Sequence, residues 1–394
     1  MKKLAMTMLC LLTMAAGMAQ EALWSNGNIQ SPVLNGDGTV TFNLRAPKAV
    51  RVMVQGDFLP GGAAEMTEKE GVWSYTTGPL ASELYSYTFR VDGLQMLDPQ
   101  NVYINRDVAS TSNIFIVSNE AGDKGDLYRV NEVGHGDVAK VWYDSPTLGM
   151  KRRMTVYTPA GYDRGKNYPV LYLLHGAGGD EDAWTTLGRS AQIMDNLIAT
   201  GKERPMIVVM PNGNVDSQAA PGAWSRGMYV PSFMRSLNPE GRPKASMEES
   251  FPDIIKYVES HYKVAKGKQN RAICGLSMGG GHSWRTSKLY PKTFDYVGMF
   301  SAAYSIGGDR QASLYDQLNR NDEVKRQLAD LFGAKPRLYW IGIGKDDFLY
   351  QQNTDYRRFL DEKGYPYEYV ETDGGHIWRN WRIYLTTFAQ KIFK

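Results

Sequence analysis

The chain has 394 residues, a formal charge of +3, 42% hydrophobic residues and two cysteines. A nearly balanced charge without basic stripes or runs argues against nucleic acid and anionic membrane surfaces as partners. With 12% aromatic residues the chain is far from a disordered composition, and its length allows two domains with sizeable cores.

Residues 1–19, MKKLAMTMLCLLTMAAGMA, have a basic start, an apolar run and the small residues Gly17 and Ala19. That pattern predicts a signal peptide cut after Ala19 and a secreted or periplasmic protein. The run is too short for a membrane span, so no integral membrane segment is expected in the mature chain. Cys10 follows Thr7-Met8-Leu9, a poor lipid-attachment context placed too early. Cleavage removes Lys2 and Lys3, lowering the charge to +1, and leaves Cys274 without a disulfide partner. Within the apolar stretch RAICGL, Cys274 reads as a buried small hydrophobe.

Residues 31 to 118 read as short strands. TVTFNL, AVRVMVQG, GVWSYT, YSYTFRVDG and NIFIV are alternating or β-rich, with NGDG, LPGG and VDG as turns. An all-β sandwich over residues 20–118 is predicted. VRVMVQGDF, GVWSYTTGPL, YSYTFRVDG and LDPQN resemble the family 48 carbohydrate-binding modules and related immunoglobulin-like domains. The resemblance implies such a sandwich, a kind of domain that often precedes an enzyme and packs against it. Docking or glycan positioning is therefore its expected role, with no triad member or oxyanion donor expected in it. The glycine- and acid-rich stretch EAGDKGDLYRVNEVGHGDV, residues 119–137, is predicted as linker.

The rhythm changes over 138–394. RMTVYTP, PVLYLLHG, MIVVMPNG, RAICGL, YVGMFS, RLYWIGIG and YEYVET read as strands. SAQIMDNLIATG, FPDIIKYVESHY, MGGGHSWRTSKLY, DYRRFLDEKG and WRNWRIYLTTFAQKIF read as helices. Apolar strands alternating with helices predict an α/β domain with a mostly parallel sheet covered on both faces.

The stretch ICGLSMGGGH places Ser277 between a strand and a helix, with Gly275 and Gly279 where a Cβ would strike backbone. A Gly-x-Ser-x-Gly pattern arises easily by chance in a chain with 40 glycines, so its context has to carry the reading. Ser277 then reads as a nucleophile at a helix N-terminus, where negative charge is favoured. Of the five histidines, His135 falls in the linker, His261 ends a helix, His175 opens HGAGG, and His282 lies five residues along from Ser277. His376, in TDGGHIW between a strand and the last helix, can drop onto the serine as its base. The strand RLYWIGIG runs into GKDDF, which offers Asp346 and Asp347 as the acid that orients the base. Asp347 is the choice, with Asp346 left to cap the turn, and Asp373 is too close to His376 in sequence. The backbone N–H groups of Met278 and of Ala177 in HGAGG are the expected oxyanion donors. No metal cluster or nucleotide loop stands out, so no metal and no cofactor are expected.

YPVLYLLHGAGGDEDAW, VVMPNG, ICGLSMGGGH, IGIGKDDFLY and DGGHIWRNWRIYL resemble the esterase D-type α/β-hydrolases, above all the feruloyl and acetylxylan esterases of carbohydrate esterase family one. The resemblance implies an α/β-hydrolase fold over 138–394 with Ser277 as nucleophile, His376 as base and Asp347 as its orienter. It implies esters of plant cell-wall polysaccharides or oligosaccharides as substrates. The segment 213–247 would wall the acyl pocket with Trp224, Met228, Tyr229 and Phe233, and Trp184 is also expected to bind substrate. Feruloyl esters of arabinoxylan are the leading expectation. Acetylated xylan, a catecholate siderophore trilactone, and an inert glycan-binding protein are the alternatives, and the oligomeric state stays open.

Overall fold

The computed structural model describes residues 29–162, 166–232, 243–307 and 311–394. The expected signal peptide at 1–19, and Phe233, lie outside the described residues. The chain divides into two compact units. One holds the chain up to Ala81 with Tyr85–Tyr103 and Asn113–Phe115, and the other holds Ser82–Leu84, Ile104–Ser112 and Ile116–Lys394.

The first unit is all β. Its strands include β1 (Val33–Leu34), β2 (Val40–Arg45), β3 (Val52–Gly56), β4 (Ala63–Glu65), β5 (Thr67–Lys69) and β6 (Val72–Thr76), followed by β7 (Glu83–Val91) and β8 (Leu94–Met96). The hairpin β9 (Ile104–Asp107) and β10 (Ser110–Val117) completes the set, although Ile104–Ser112 belong by their contacts to the second unit. One sheet is ordered β1-β2-β6-β5, and the other β4-β3-β7-β10-β9 with β8 beside β7. On β2 the alternation turns Val40, Phe42 and Leu44 inward. There the Phe42 ring lies 4.7 Å from Tyr87 and 5.4 Å from Phe115. Both sheets therefore share one aromatic core.

The segment predicted as linker is partly ordered structure. Asp123 accepts a hydrogen bond from the Asp126 N–H at 2.8 Å and caps the helix α1 (Lys124–Tyr128). The Asn196 amide then donates to the carbonyls of Leu127 and Arg129 at 3.0 and 3.1 Å.

An eight-stranded sheet builds the second unit, ordered β11-β12-β14-β13-β15-β16-β17-β18. The strands are β11 (Asp137–Ser145), β12 (Met150–Thr158), β13 (Val170–Leu174), β14 (Ile207–Pro211), β15 (Arg271–Leu276), β16 (Tyr296–Phe300), β17 (Leu338–Gly344) and β18 (Glu368–Thr372). The pairings β11–β12 and β12–β14 are antiparallel, and from β14 onward every pairing is parallel. Every residue of β13, β14, β16 and β17 is buried, as expected for a parallel sheet covered on both faces. The helices α2 (Ala183–Thr186), α3 (Ser190–Ala199), α4 (Phe251–His261), α5 (Met278–Leu289), α6 (Leu314–Arg320), α7 (Asp322–Gly333), α8 (Tyr350–Lys363) and α9 (Trp378–Ala389) supply the cover. This is the expected α/β-hydrolase architecture. Its neighbouring parallel strands end on the same edge, so β13, β15, β17 and β18 deliver their following loops to one place. Cys274 is fully buried on β15, and burial pushes its thiol well above the usual range.

Candidate active site

Ser277 sits at the turn from β15 into α5 with φ 52° and ψ −114°, a left-handed conformation that strains a residue with a side chain. Three backbone bonds hold it there. Its N–H donates to the Phe300 carbonyl at 2.8 Å, and its own carbonyl accepts from Gly281 and Ala303, each at 3.0 Å. The glycines around it are compelled by space. A Cβ on Gly279 would lie 2.5 Å from the carbonyl oxygens of His175 and Leu174, and one on Gly275 would lie 2.6 Å from the Gly279 carbonyl. The sharp turn leaves the serine side chain only partly buried at the start of a helix, where backbone N–H groups favour negative charge.

His376, in the loop after β18, has Nδ1 3.0 and 2.9 Å from the two carboxylate oxygens of Asp347. A carboxylate only accepts, so the proton sits on Nδ1 and Nε2 keeps a free lone pair. Burial raises the Asp347 pKa, but hydrogen bonds from His376, the Leu349 N–H and Ser301 outweigh it and hold the carboxyl below its ordinary value. Ser301 in turn accepts from Trp381 Nε1 at 3.1 Å. The imidazole is gripped by Phe348 and by the edge of Trp381, with centroids 4.5 and 4.9 Å away. Asp346 is exposed, and Asp373 pairs with Lys345 at 2.9 Å, far out in solvent. The structure thus brings Asp347, and neither other acid, to the histidine.

The HGAGG loop is held by its own histidine. His175 Nδ1 donates to the Gly176 carbonyl at 2.8 Å, and Nε2 accepts the Gly213 N–H at 2.7 Å. Both ring nitrogens are satisfied in the neutral form. Burial lowers the His175 pKa to about 4. A Cβ on Gly176 would stand 3.3 Å from the Ser277 Cβ, so this loop runs directly beside the serine. Ala177 follows it.

Two cavities meet at this loop. One, of about 290 Å³, is lined by Ser277, His376, Phe348, Trp378, Trp381 and Ala177. Arg106, Asp107 and Val108 complete its wall. They come from the β9–β10 hairpin, a segment expected to serve in docking or glycan positioning and to contribute no triad member or oxyanion donor. Arg106 reaches Asp180 at 2.5 Å, and Val108 packs against Gly178, where a Cβ would lie 2.7 Å away. The second cavity, of about 640 Å³, is lined by Ala177, Met278, Trp224, Glu248 and His282, with residues 213–217. The expected oxyanion pair therefore lies at the boundary, with Ala177 facing both cavities.

The expected pocket residues divide. Trp224 lines the larger cavity, whereas Met228 and Tyr229 are exposed and line neither. Trp184 needs correction as a substrate-binding residue. It is 1% exposed, its indole N–H donates to the Leu174 carbonyl at 2.9 Å, and it stacks edge-on against Trp378. Its work is to hold α2 against β13.

Sequence reading missed the support behind the larger cavity. Arg152, wholly buried on β12, donates to the carbonyls of Asn212 and Asn214, both at 2.7 Å, and of Ser217 at 3.3 Å. Arg153 pairs with buried Glu181 at 2.6 Å, and Glu181 accepts from Asn212 and the Ala220 N–H. The signal was RRMTVY, two cations inside an apolar strand, each of which needs buried acceptors. Among the described residues no group of three or more His, Cys, Asp or Glu side chains is placed to share a metal ion.

Comparison with known proteins supplies the relatives. Residues 145–392 match the Esterase family. An endo-1,4-beta-xylanase/feruloyl esterase of Xylanibacter ruminicola is 30% identical over 372 residues, covering 92% of this chain and 46% of that protein. The chain thus spans about half the length of that relative. An acetyl esterase of Caldicellulosiruptor saccharolyticus is 26% identical over 242 residues, 56% of this chain and 81% of that one. Among solved structures, a ferulic acid esterase of Anaeromyces mucronatus in complex with ferulic acid superimposes with a TM-score of 0.53 at 26% identity, covering 71% of this chain and 98% of that one.

Proposed function

Because the chain belongs to the Esterase family and is a carboxylic ester hydrolase, we propose that it is a secreted serine esterase releasing ferulic and related hydroxycinnamic acids from plant cell-wall arabinoxylan. The observation that carries the serine mechanism is the one cavity holding both the strained Ser277 and a His376 whose far nitrogen rests on Asp347.

In the reaction the Ser277 oxygen attacks the ester carbonyl while His376 Nε2 takes its proton. The carbonyl oxygen becomes an oxyanion facing the N–H groups of Ala177 and Met278, each such donor stabilising it by roughly 3 kcal/mol. Collapse breaks the ester bond, and His376 hands its proton to the departing sugar oxygen. Water, deprotonated by the same nitrogen, then attacks the acyl-serine, and the acid leaves with Ser277 restored.

The feruloyl relatives and the size of the cavity beside the oxyanion pair support an aromatic acyl group. An acetyl group, the choice suggested by the acetyl esterase relative, would leave most of about 640 Å³ unfilled. The first unit is proposed to position the glycan. Rates on methyl ferulate and acetylated xylan, for the native chain and Ser277→Ala, test the reading. The native chain should favour the ferulate, and Ser277→Ala should lose at least about 10³ in kcat while keeping its fold. Preference for the acetyl ester, or an active Ser277→Ala variant, would overturn it.

A further inference from the structure

Resting on the esterase reading, we infer that the larger cavity is the acyl side of the site and that His282 Nε2 recognises a hydroxyl group on the aromatic ring of the acyl arm.

The mechanism itself separates the two cavities. His376 returns its proton to the leaving oxygen, so the alcohol lies on its side, in the cavity that His376, Trp378 and Asp107 line. The acyl chain must then leave the scissile carbonyl past Ala177 and Met278, and both open into the larger cavity. His282 lies on that wall four residues after Met278 on α5, on the same helix face and about 6 Å further along the axis. An acetyl group ends well short of such a position, whereas an aryl-propenoyl arm extends to it.

The chemistry at His282 is specific. Its Nδ1 lies 2.6 Å from Glu248 Oε1, and Arg285 Nε donates to the same oxygen at 2.6 Å. Burial works against charge on Glu248, but these hydrogen bonds prevail and hold its carboxyl well below the usual carboxylate range. The ionised oxygen therefore keeps the imidazole proton on Nδ1. Arg285 Nη2, at 3.1 Å from Nδ1, is the more distant neighbour and does not displace it. Nε2 is left as a lone pair, buried and without a partner among the described residues, on a side chain only 10% exposed. A buried acceptor in that state calls for a donor. A phenolic O–H supplies one, and an aryl methyl ether at the same ring position cannot.

The test measures binding and turnover separately. Calorimetry follows 4-hydroxycinnamate and 4-methoxycinnamate binding to the native chain, His282→Leu and Glu248→Gln, and kcat/KM is measured on the two methyl esters. The native chain should prefer the hydroxyl compound by about tenfold in both measurements. That ratio should fall to about one in His282→Leu and shrink in Glu248→Gln, which loses the charge that fixes the tautomer. A native chain that binds both acids equally overturns the inference, as does an unchanged ratio in a folded His282→Leu. Hydroxyl-selective binding without turnover of either ester would overturn the esterase reading and leave this recognition standing.

Discussion

Acid should weaken this protein through His175. In the folded chain burial lowers its pKa to about 4, whereas an unfolded histidine titrates near about 6.5. The geometry explains the direction. Nε2 accepts the Gly213 N–H at 2.7 Å, and a proton placed there would set donor against donor. As pH falls, the unfolded state takes the proton first. The stabilisation is complete above about pH 6.5, declines down to about pH 4, and is absent below that. A difference of about 2.5 pKa units corresponds to about 3 kcal/mol, a large share of a typical stability of about 5–15 kcal/mol. Urea unfolding at pH 7.5, 5.5 and 4, followed by tryptophan fluorescence, reads this out in the native chain and in His175→Asn. The native chain should lose about 3 kcal/mol more than the variant across that range. Parallel profiles for the two would refute the reasoning.

Asp347→Asn should cost about 10³–10⁴ in kcat, because an amide can stabilise the wrong imidazole tautomer. Asp346→Asn, altering an exposed carboxyl, should stay within about twofold, since surface changes are rarely felt; steady-state kinetics on one ester ranks the pair. Gly279→Ala should lower the melting temperature or prevent folding, because its Cβ lands 2.5 Å from two carbonyl oxygens. Thermal scanning settles it, and a native-like value would show that the elbow can relax. A chain beginning near residue 130 loses Arg106, Asp107 and Val108 from the wall of the Ser277 cavity, so kcat/KM on methyl ferulate should drop about tenfold or more. Equal rates would make that wall dispensable.

What the amino-acid order revealed depends on how local each cause is. The glycines flanking Ser277 are legible because a sharp strand-to-helix turn requires them within a few residues. His376 emerged by elimination among five histidines. Asp346 and Asp347 are neighbours of identical chemistry, and only the turn after β17 buries one and exposes the other. The helix α1 was hidden in a stretch read as linker, although Asp123 and Asp126 carry its cap. Trp184 misled because an aromatic residue beside an oxyanion loop looks the same whether it faces ligand or core. The contact of Val108 with Gly178, 70 residues apart, has no local signature.

Arg152 carries one more consequence. Its guanidinium rests on the carbonyls of Asn212, Asn214 and Ser217, and none of these titrates or competes with dissolved ions. Added salt screens solvent-exposed charges, with a screening length of about 10 Å at 0.1 M, but it has little purchase on this wholly buried cation and its neutral acceptors. The 212–217 wall should therefore keep its form from dilute buffer to brine. Any salt dependence in substrate choice would have to arise at the charged, partly solvated pairs elsewhere, such as Arg106 with Asp180.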